Sequence, residues 1–291
     1  MNGRAKVENI LFPVDFSPSC AAMAAYVKRA ASIHRARVTL VHVVDLAGHN
    51  GFELYVRPLS AIAEDHREIA RQQLDSFLES EFPVGECSRV LLAGDAAAGI
   101  AQFARTGGFD MIVMPTYAGS FRRMLLGSTT AKVLNDADCP VVTTRHALDV
   151  APRPMEHREW LCAIGLDADS ERVLRYASRL AAAAQARLSL IHVVASGDAP
   201  LRPQLRQEEE VESALKGEAH RRLRDLQKAV GSEASVRIAV GPVKEALIEE
   251  ARRSEADVLV IGRGPEFAAQ GRIRDLTYAM VRDSPCPVAS V

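Results

Sequence analysis

The strongest constraint on this chain is that its sequence is written twice. Val41-His42-Val43-Val44 returns as Ile191-His192-Val193-Val194, Asp110-Met111-Ile112-Val113-Met114 as Asp257-Val258-Leu259-Val260-Ile261, and Cys139-Pro140-Val141 as Cys286-Pro287-Val288. The offsets are 191 − 41 = 150, 257 − 110 = 147 and 286 − 139 = 147 residues. A solenoid repeat is only about 20–50 residues long, so a whole domain has been duplicated. The 291 residues then divide into two domains of one fold, each long enough to bury a core.

In the first copy, apolar runs at 10–14, 38–44, 88–92, 111–114 and 141–144 alternate with helix-favouring segments at 18–34, 61–80, 97–106 and 128–135. The second copy repeats that order, with strands at 161–164, 188–194, 235–240, 258–261 and 288–291 and helices at 171–184, 208–228, 243–253 and 276–282. The strands are near-continuous Val, Ile and Leu rather than alternating, which is the pattern of strands buried on both faces. The expected fold class is therefore α/β: two tandem doubly wound, Rossmann-like domains, each a five-stranded parallel sheet flanked by helices. Residues 145–159 carry Pro152 and Pro154 without apolar periodicity and read as the linker, giving domains at 1–146 and 159–291.

Charge and composition narrow the function. Lys plus Arg number 36 against 37 Asp plus Glu, a formal net charge of −1, which is not the footprint of a nucleic-acid binder. Met1 to Glu8 is polar, and no stretch approaches the roughly 18 apolar residues of a membrane span, so a cytoplasmic protein without membrane partners is expected. Five cysteines without a CxxC pair read as reduced thiols, those at 139 and 286 as small buried residues beginning a strand.

Ligands of open parallel sheets bind beyond the carboxyl ends of the strands where strand order reverses, so the loops after strands one and four are the places to look. After strand four, Gly127 allows close backbone approach of an anion, and Ser128 or Thr129 is positioned to cap the following helix and offer a hydroxyl at its positive end. Arg122 and Arg123 either add charge there or form a solvated face. Asp15, at the end of strand one, is either an acceptor for ribose or base or, with Ser17 or Ser19, a helix cap. His42 and His192 recur amid apolar neighbours and read as hydrogen-bonded core histidines; no triad spacing supports a catalytic role.

Ile10-Leu11-Phe12-Pro13-Val14-Asp15, Val41-His42-Val43, Gly94-Asp95, Asp110-Met111-Ile112-Val113-Met114, Leu126-Gly127-Ser128-Thr129 and Cys139-Pro140-Val141, in this order and largely met twice, resemble a tandem universal stress protein over essentially the whole chain. The resemblance implies a stress-response binder or sensor, an adenine-nucleotide site in many members, and a dimeric arrangement. ATP-binding members carry Gly, two residues, Gly, nine residues, then Gly and Ser or Thr. Here Pro115 and Ala118 stand at the first two glycines and eight residues separate Ala118 from Gly127, so the loop is altered and one residue shorter. Pro115 also lacks an amide hydrogen, a loss that Gly119 partly offsets. By resemblance, ATP or a related nucleotide would bind in the first domain only: Asp15 at the ribose or adenine, Val43 at the base, Met114 near the sugar, and Gly127, Ser128 and Thr129 at the phosphates, with Pro13, Pro115 and Gly119 as further nucleotide-binding positions.

In the second domain Gly165 takes the place of Asp15, Asp167 that of Ser17, and Arg274-Asp275 that of Gly127-Ser128, so a degenerate site is expected there. No phosphate-loop lysine and no carboxylate cluster for Mg²⁺ appears from spacing, so at most slow ATP hydrolysis is expected and no catalytic residue is assigned. The alternative is an interaction module that binds no nucleotide and acts through protein partners; an adenylating or electron-transfer enzyme is a third reading that lacks a catalytic constellation or substrate domain. Duplication lets one chain reproduce the family dimer internally through strands near 141–144 and 288–291, with a homodimer of chains as a further step.

Overall fold

The computed structural model describes residues 6–45, 59–116, 126–144, 158–195, 205–263 and 272–291. Gly119, Arg122 and Arg123 lie outside them, as does most of the expected linker. The chain separates into two compact units, Met1–Pro152 and Arg153–Val291.

The first unit runs β1 (Asn9–Pro13), α1 (Pro18–His34), β2 (Arg37–Val44), α2 (Leu59–Ser76), β3 (Ser88–Ala93), α3 (Ala96–Thr106), β4 (Met111–Pro115), α4 (Ser128–Asp136) and β5 (Val141–Thr144). All its strand pairs are parallel, in the order β3-β2-β1-β4-β5. The second unit runs β6 (Glu159–Ala163), α5 (Ser170–Ala183), β7 (Arg187–Ala195), α6 (Leu205–Val230), β8 (Ser235–Gly241), α7 (Val243–Arg253), β9 (Val258–Ile261), α8 (Arg272–Asp283) and β10 (Val288–Ser290). Its strands are again parallel, in the equivalent order β8-β7-β6-β9-β10. The expected α/β class with mostly parallel sheets flanked by helices is what the chain adopts.

The central strands are buried because helices cover both faces. Ile10, Leu11 and Phe12 of β1 and Leu161 and Cys162 of β6 have no exposed surface, which is why their sequences show no alternation. Helix α1 starts where Ser17 accepts the Cys20 N–H at 3.3 Å, with Pro18 at its first turn, and stops at Arg35 in the left-handed region. Three details differ from the sequence reading. Glu159 opens β6 instead of closing the linker. Helix α8 begins at Arg272, four residues before the expected 276. Helix α4 has Gly127 as its cap with no side-chain hydrogen bond, so neither Ser128 nor Thr129 caps it: both sit inside the first turn, where their own amides are the donors in need of partners.

One clamp recurs in both units and fixes the pairing of the first and fourth strands. Asp110 Oδ2 accepts the N–H groups of Glu8 at 2.9 Å and Asn9 at 3.0 Å. Asp257 Oδ2 accepts those of Arg158 at 2.7 Å and Glu159 at 2.9 Å. A carboxylate taking two backbone donors satisfies the entry of the central strand before its ladder begins. This is why the motif opens with Asp in each copy. Asp110→Ala and Asp257→Ala are each expected to lower stability by about 1–3 kcal/mol, the scale of a hydrogen bond to a charged group. Denaturant titration checks this: the midpoint should fall at an unchanged slope, and Asp→Asn, which keeps a carbonyl acceptor, should lose less.

Candidate functional site

In the first unit, β1 connects to β2 on one side while β4 joins β1 on the other, so strand order reverses between β1 and β4. Beyond the carboxyl ends of these strands lies a cleft of about 580 Å³, where such sheets bind ligands. Pro13 ends β1, Val43 stands near the end of β2, and Met114 and Pro115 end β4; all four line the cleft. Asp15 is at its rim and Gly127, Ser128 and Thr129 are at its far wall. Eight of the nine residues singled out from the sequence thus converge on one cavity; Gly119 is outside the described residues.

The wall at the start of α4 is built by two hydrogen bonds. Gly127 N–H donates to the Thr116 carbonyl at 3.0 Å, and Thr130 Oγ1 donates to the Pro115 carbonyl at 3.1 Å. These hold the start of α4 against the end of β4. Gly127 is extended, with φ −60° and ψ 138°, so any residue would fit its backbone. What glycine contributes is a missing side chain, leaving the first-turn amides at the positive end of the helix without a capping side chain. Pro115 is the buried last residue of β4.

At the rim, Asp15 Oδ1 accepts the Ser17 N–H at 3.0 Å, while Ser17 caps α1. Beneath it Cys20 is buried, with its thiol 3.8 Å from the Pro13 carbonyl. Burial first, and then the Asp15 carboxylate, push that thiol well above its ordinary value of 9.0. At the N-cap of α3, Asp95 accepts the Ala98 N–H at 2.9 Å and pairs with Lys132 at 3.3 Å. The Ala98 amide and then Lys132 hold this exposed carboxyl below the usual range.

The strand-two histidine is hydrogen-bonded, as its apolar setting predicts, but it is not in the core. His42 is half-buried and lines the cleft. Its Nδ1 is 2.8 Å from the Val14 carbonyl; a carbonyl only accepts, so Nδ1 carries the proton and Nε2 is left as an acceptor in the neutral ring. Phe16, held at φ 62°, stacks on the imidazole with centroids 4.3 Å apart and meets Phe77 edge-on at 5.4 Å. The hydrogen bond is architectural, since His192 repeats it with Ile164 at 2.8 Å, but the ring is a wall of the cleft. Its place at the end of β2, beside the switch point, was the available signal.

The Universal stress protein family model matches residues 6–145 and again 158–291. The chain belongs to the universal stress protein family. Among solved structures it is similar to a universal stress protein from Archaeoglobus fulgidus DSM 4304, at 22% identity over 99% of this chain and 97% of the other, with a TM-score of 0.66. It is also similar to a protein of unknown function from Pseudomonas aeruginosa PAO1, at 17% identity over 99% and 93% of the two chains, with a TM-score of 0.63. A search of curated proteins finds no match.

The second unit of this universal stress protein has changed at both ends of the equivalent place. A side chain at Gly165 would have its Cβ 2.8 Å from Asp167 Oδ2. Asp167 is fixed there, accepting the Ser170 hydroxyl at 2.9 Å and the Asp169 N–H at 3.1 Å, while Ser170 Oγ accepts the Asp167 N–H at 3.0 Å. The counterpart of Ser128 is Asp275, since 275 − 128 = 147, and α8 begins 275 − 272 = 3 residues before it. The positive helix end is therefore displaced by about 4.5 Å along the axis. Among the described residues, no cluster of three or more His, Cys, Asp or Glu could hold a metal ion, and no helix is long and apolar enough to cross a membrane.

Cys20 and Cys162 are both buried with their thiols pushed up, whereas Cys139 is partly exposed. Iodoacetamide at pH 8 should label Cys139 first and spare the other two until the protein unfolds; labelling of Cys20 at the rate of Cys139 would contradict its burial under Asp15. Because the unfolded chain ionises these thiols above about pH 9 and the folded one does not, stability should fall as pH rises past that value.

Proposed function

We propose that the first unit is an adenine-nucleotide-binding sensor of the stress response and that the second unit has lost that site. The observation that carries this reading is the uncapped start of α4, at Gly127, opening into a cleft whose opposite wall is apolar at Val43 and polar at Asp15. A phosphate suits the first-turn amides of Ser128 and Thr129 and the positive helix end. The ribose then falls near Met114, Pro115 and Pro13, with Asp15 as hydroxyl acceptor, and the base lies towards Val43. Gly119, by family resemblance, adds a phosphate contact.

The reading is of a binder. Lys132, near the phosphate wall, is paired with Asp95, and neither the motifs nor the cleft supply a positioned base with a metal clamp, so turnover would be slow hydrolysis at most. Pro115 favours a second reading, in which the cleft is vestigial and the protein works through protein partners, because the amide that the family's glycine offers is missing at the end of β4.

Calorimetric titration with ATP and AMP separates the two. Binding in the micromolar range is expected, and Gly127→Asp should weaken it at least about 30-fold, or about 2 kcal/mol. The substituted carboxylate caps α4 and repels the phosphate, so the variant should melt no lower than the parent. No heat at millimolar nucleotide, or binding untouched by Gly127→Asp, would support the partner-module reading instead.

A further inference from the structure

A second opening, about 440 Å³, adjoins the cleft along the outer side of β2 and reaches α2. His42 and Val43 line both openings, so the two adjoin at the end of β2; the side chains of these neighbours face opposite sides of the sheet, and it is the imidazole that faces α2. Beyond them this groove is walled by Asp45 and by His66, Ile69 and Gln73 of α2. It is amphipathic: Ile69 is 54% exposed, among the largest apolar surfaces of the described residues, and it stands beside carboxylate, imidazole and carboxamide groups.

Topology sets which end of a nucleotide would meet this groove. Sheet order places β2 and β4 on opposite sides of β1, and the wall at Gly127 follows β4. A nucleotide with its phosphate on α4 therefore directs its base to the end of β2, with Val43 on one side and His42, which the groove adjoins, on the other. Extra space lies off the base edge, not off the phosphates.

The second unit supplies an internal comparison. The buried pair Ala70 and Leu74 of α2 corresponds to the buried pair Ala219 and Leu223 of α6, as 219 − 70 = 149 and 223 − 74 = 149. On that register Ile69 corresponds to Glu218 and Gln73 to Arg222. Glu218 is ion-paired to Arg221, and the Arg222 guanidinium donates to the carbonyl of Leu166, the counterpart of Phe16. A charged arm thus crosses the place that the first unit leaves open. In the first unit the uncapped α4 and the groove occur together; in the second, α8 starts at Arg272 and the Arg222 arm crosses the place that corresponds to the groove.

Resting on the nucleotide reading above, we infer that the first unit accepts adenine nucleotides whose exocyclic N6 amine carries a substituent, and that the groove between β2 and α2 receives it. Ile69 and Val44 offer the substituent apolar contact, while Asp45 and Gln73 suit the amine hydrogen and any hydroxyl at its far end. Unsubstituted adenine fills the cleft and leaves the groove to water.

The test is calorimetry on the full chain with AMP and N6-benzyl-AMP as the probes. N6-benzyl-AMP is expected to bind about tenfold more tightly than AMP. The double variant Ile69→Glu/Gln73→Arg, which gives the groove the residues of the second unit at two exposed positions, should erase that advantage while leaving AMP affinity within twofold. Weaker binding of N6-benzyl-AMP than of AMP to the parent protein, or an advantage that survives the double variant, overturns the inference while the nucleotide reading stands. Absence of binding by both compounds overturns the nucleotide reading and this inference with it.

Discussion

The join between the first and fourth strands is the constraint on which the rest depends. A single carboxylate, Asp110 in one unit and Asp257 in the other, ties the entry of the central strand to the entry of its neighbour through two backbone donors. With the strand entries fixed, the register that follows pairs Ile10 with Met111 and Leu11 with Ile112. The carboxyl ends then part where the connections leave in opposite directions, and a cleft forms there without any residue being spent on shaping it. Function on such a frame depends on what the loops place at the opening.

The two units show how little is needed to change that opening. Their strand orders are equivalent and their strand-two histidines make the same hydrogen bond at the same 2.8 Å. The differences that bear on the opening lie at the rim. Gly127 leaves a helix end bare, whereas α8 starts a turn earlier and carries Arg274 and Asp275 within its first turn. Asp15 projects at one rim, whereas Asp167 folds over Gly165 at the other and is consumed by Ser170. Both copies keep the packing that makes them stable, so the buried sequence is alike while the rim is not.

Most of the frame was legible in the sequence because buried parallel strands must be continuously apolar, and Ile10 to Phe12 and Val258 to Val260 are both. The place of the cleft was legible where it coincided with a topological rule: Asp15, Val43, Met114 and Gly127 all fall near strand ends or a helix start, and all four line it. What escaped depended on side-chain direction. His42 reads as core by its neighbours, yet its ring is drawn to the Val14 carbonyl and stacked by Phe16, which occupies a left-handed backbone conformation that nothing in Asp-Phe-Ser-Pro announces. The cap of α4 was misplaced by one residue because Ser and Thr are strong caps by preference, while the local hydrogen bond from Gly127 to Thr116 decides the matter. The early start of α8 was missed because Arg272 to Asp275 has no apolar period to mark it.

The account stands on one asymmetry: a helix start open to an anion in the first unit and none at the matching place in the second. Hydrogen exchange at the two helix starts measures it most directly, since amides without an intrahelical partner exchange rapidly until something accepts their hydrogens. Saturating AMP should slow exchange across residues 126–131 at least about tenfold and leave residues 272–276 unchanged. Slowing at 272–276, or none at 126–131 under conditions where AMP is bound, would contradict the account.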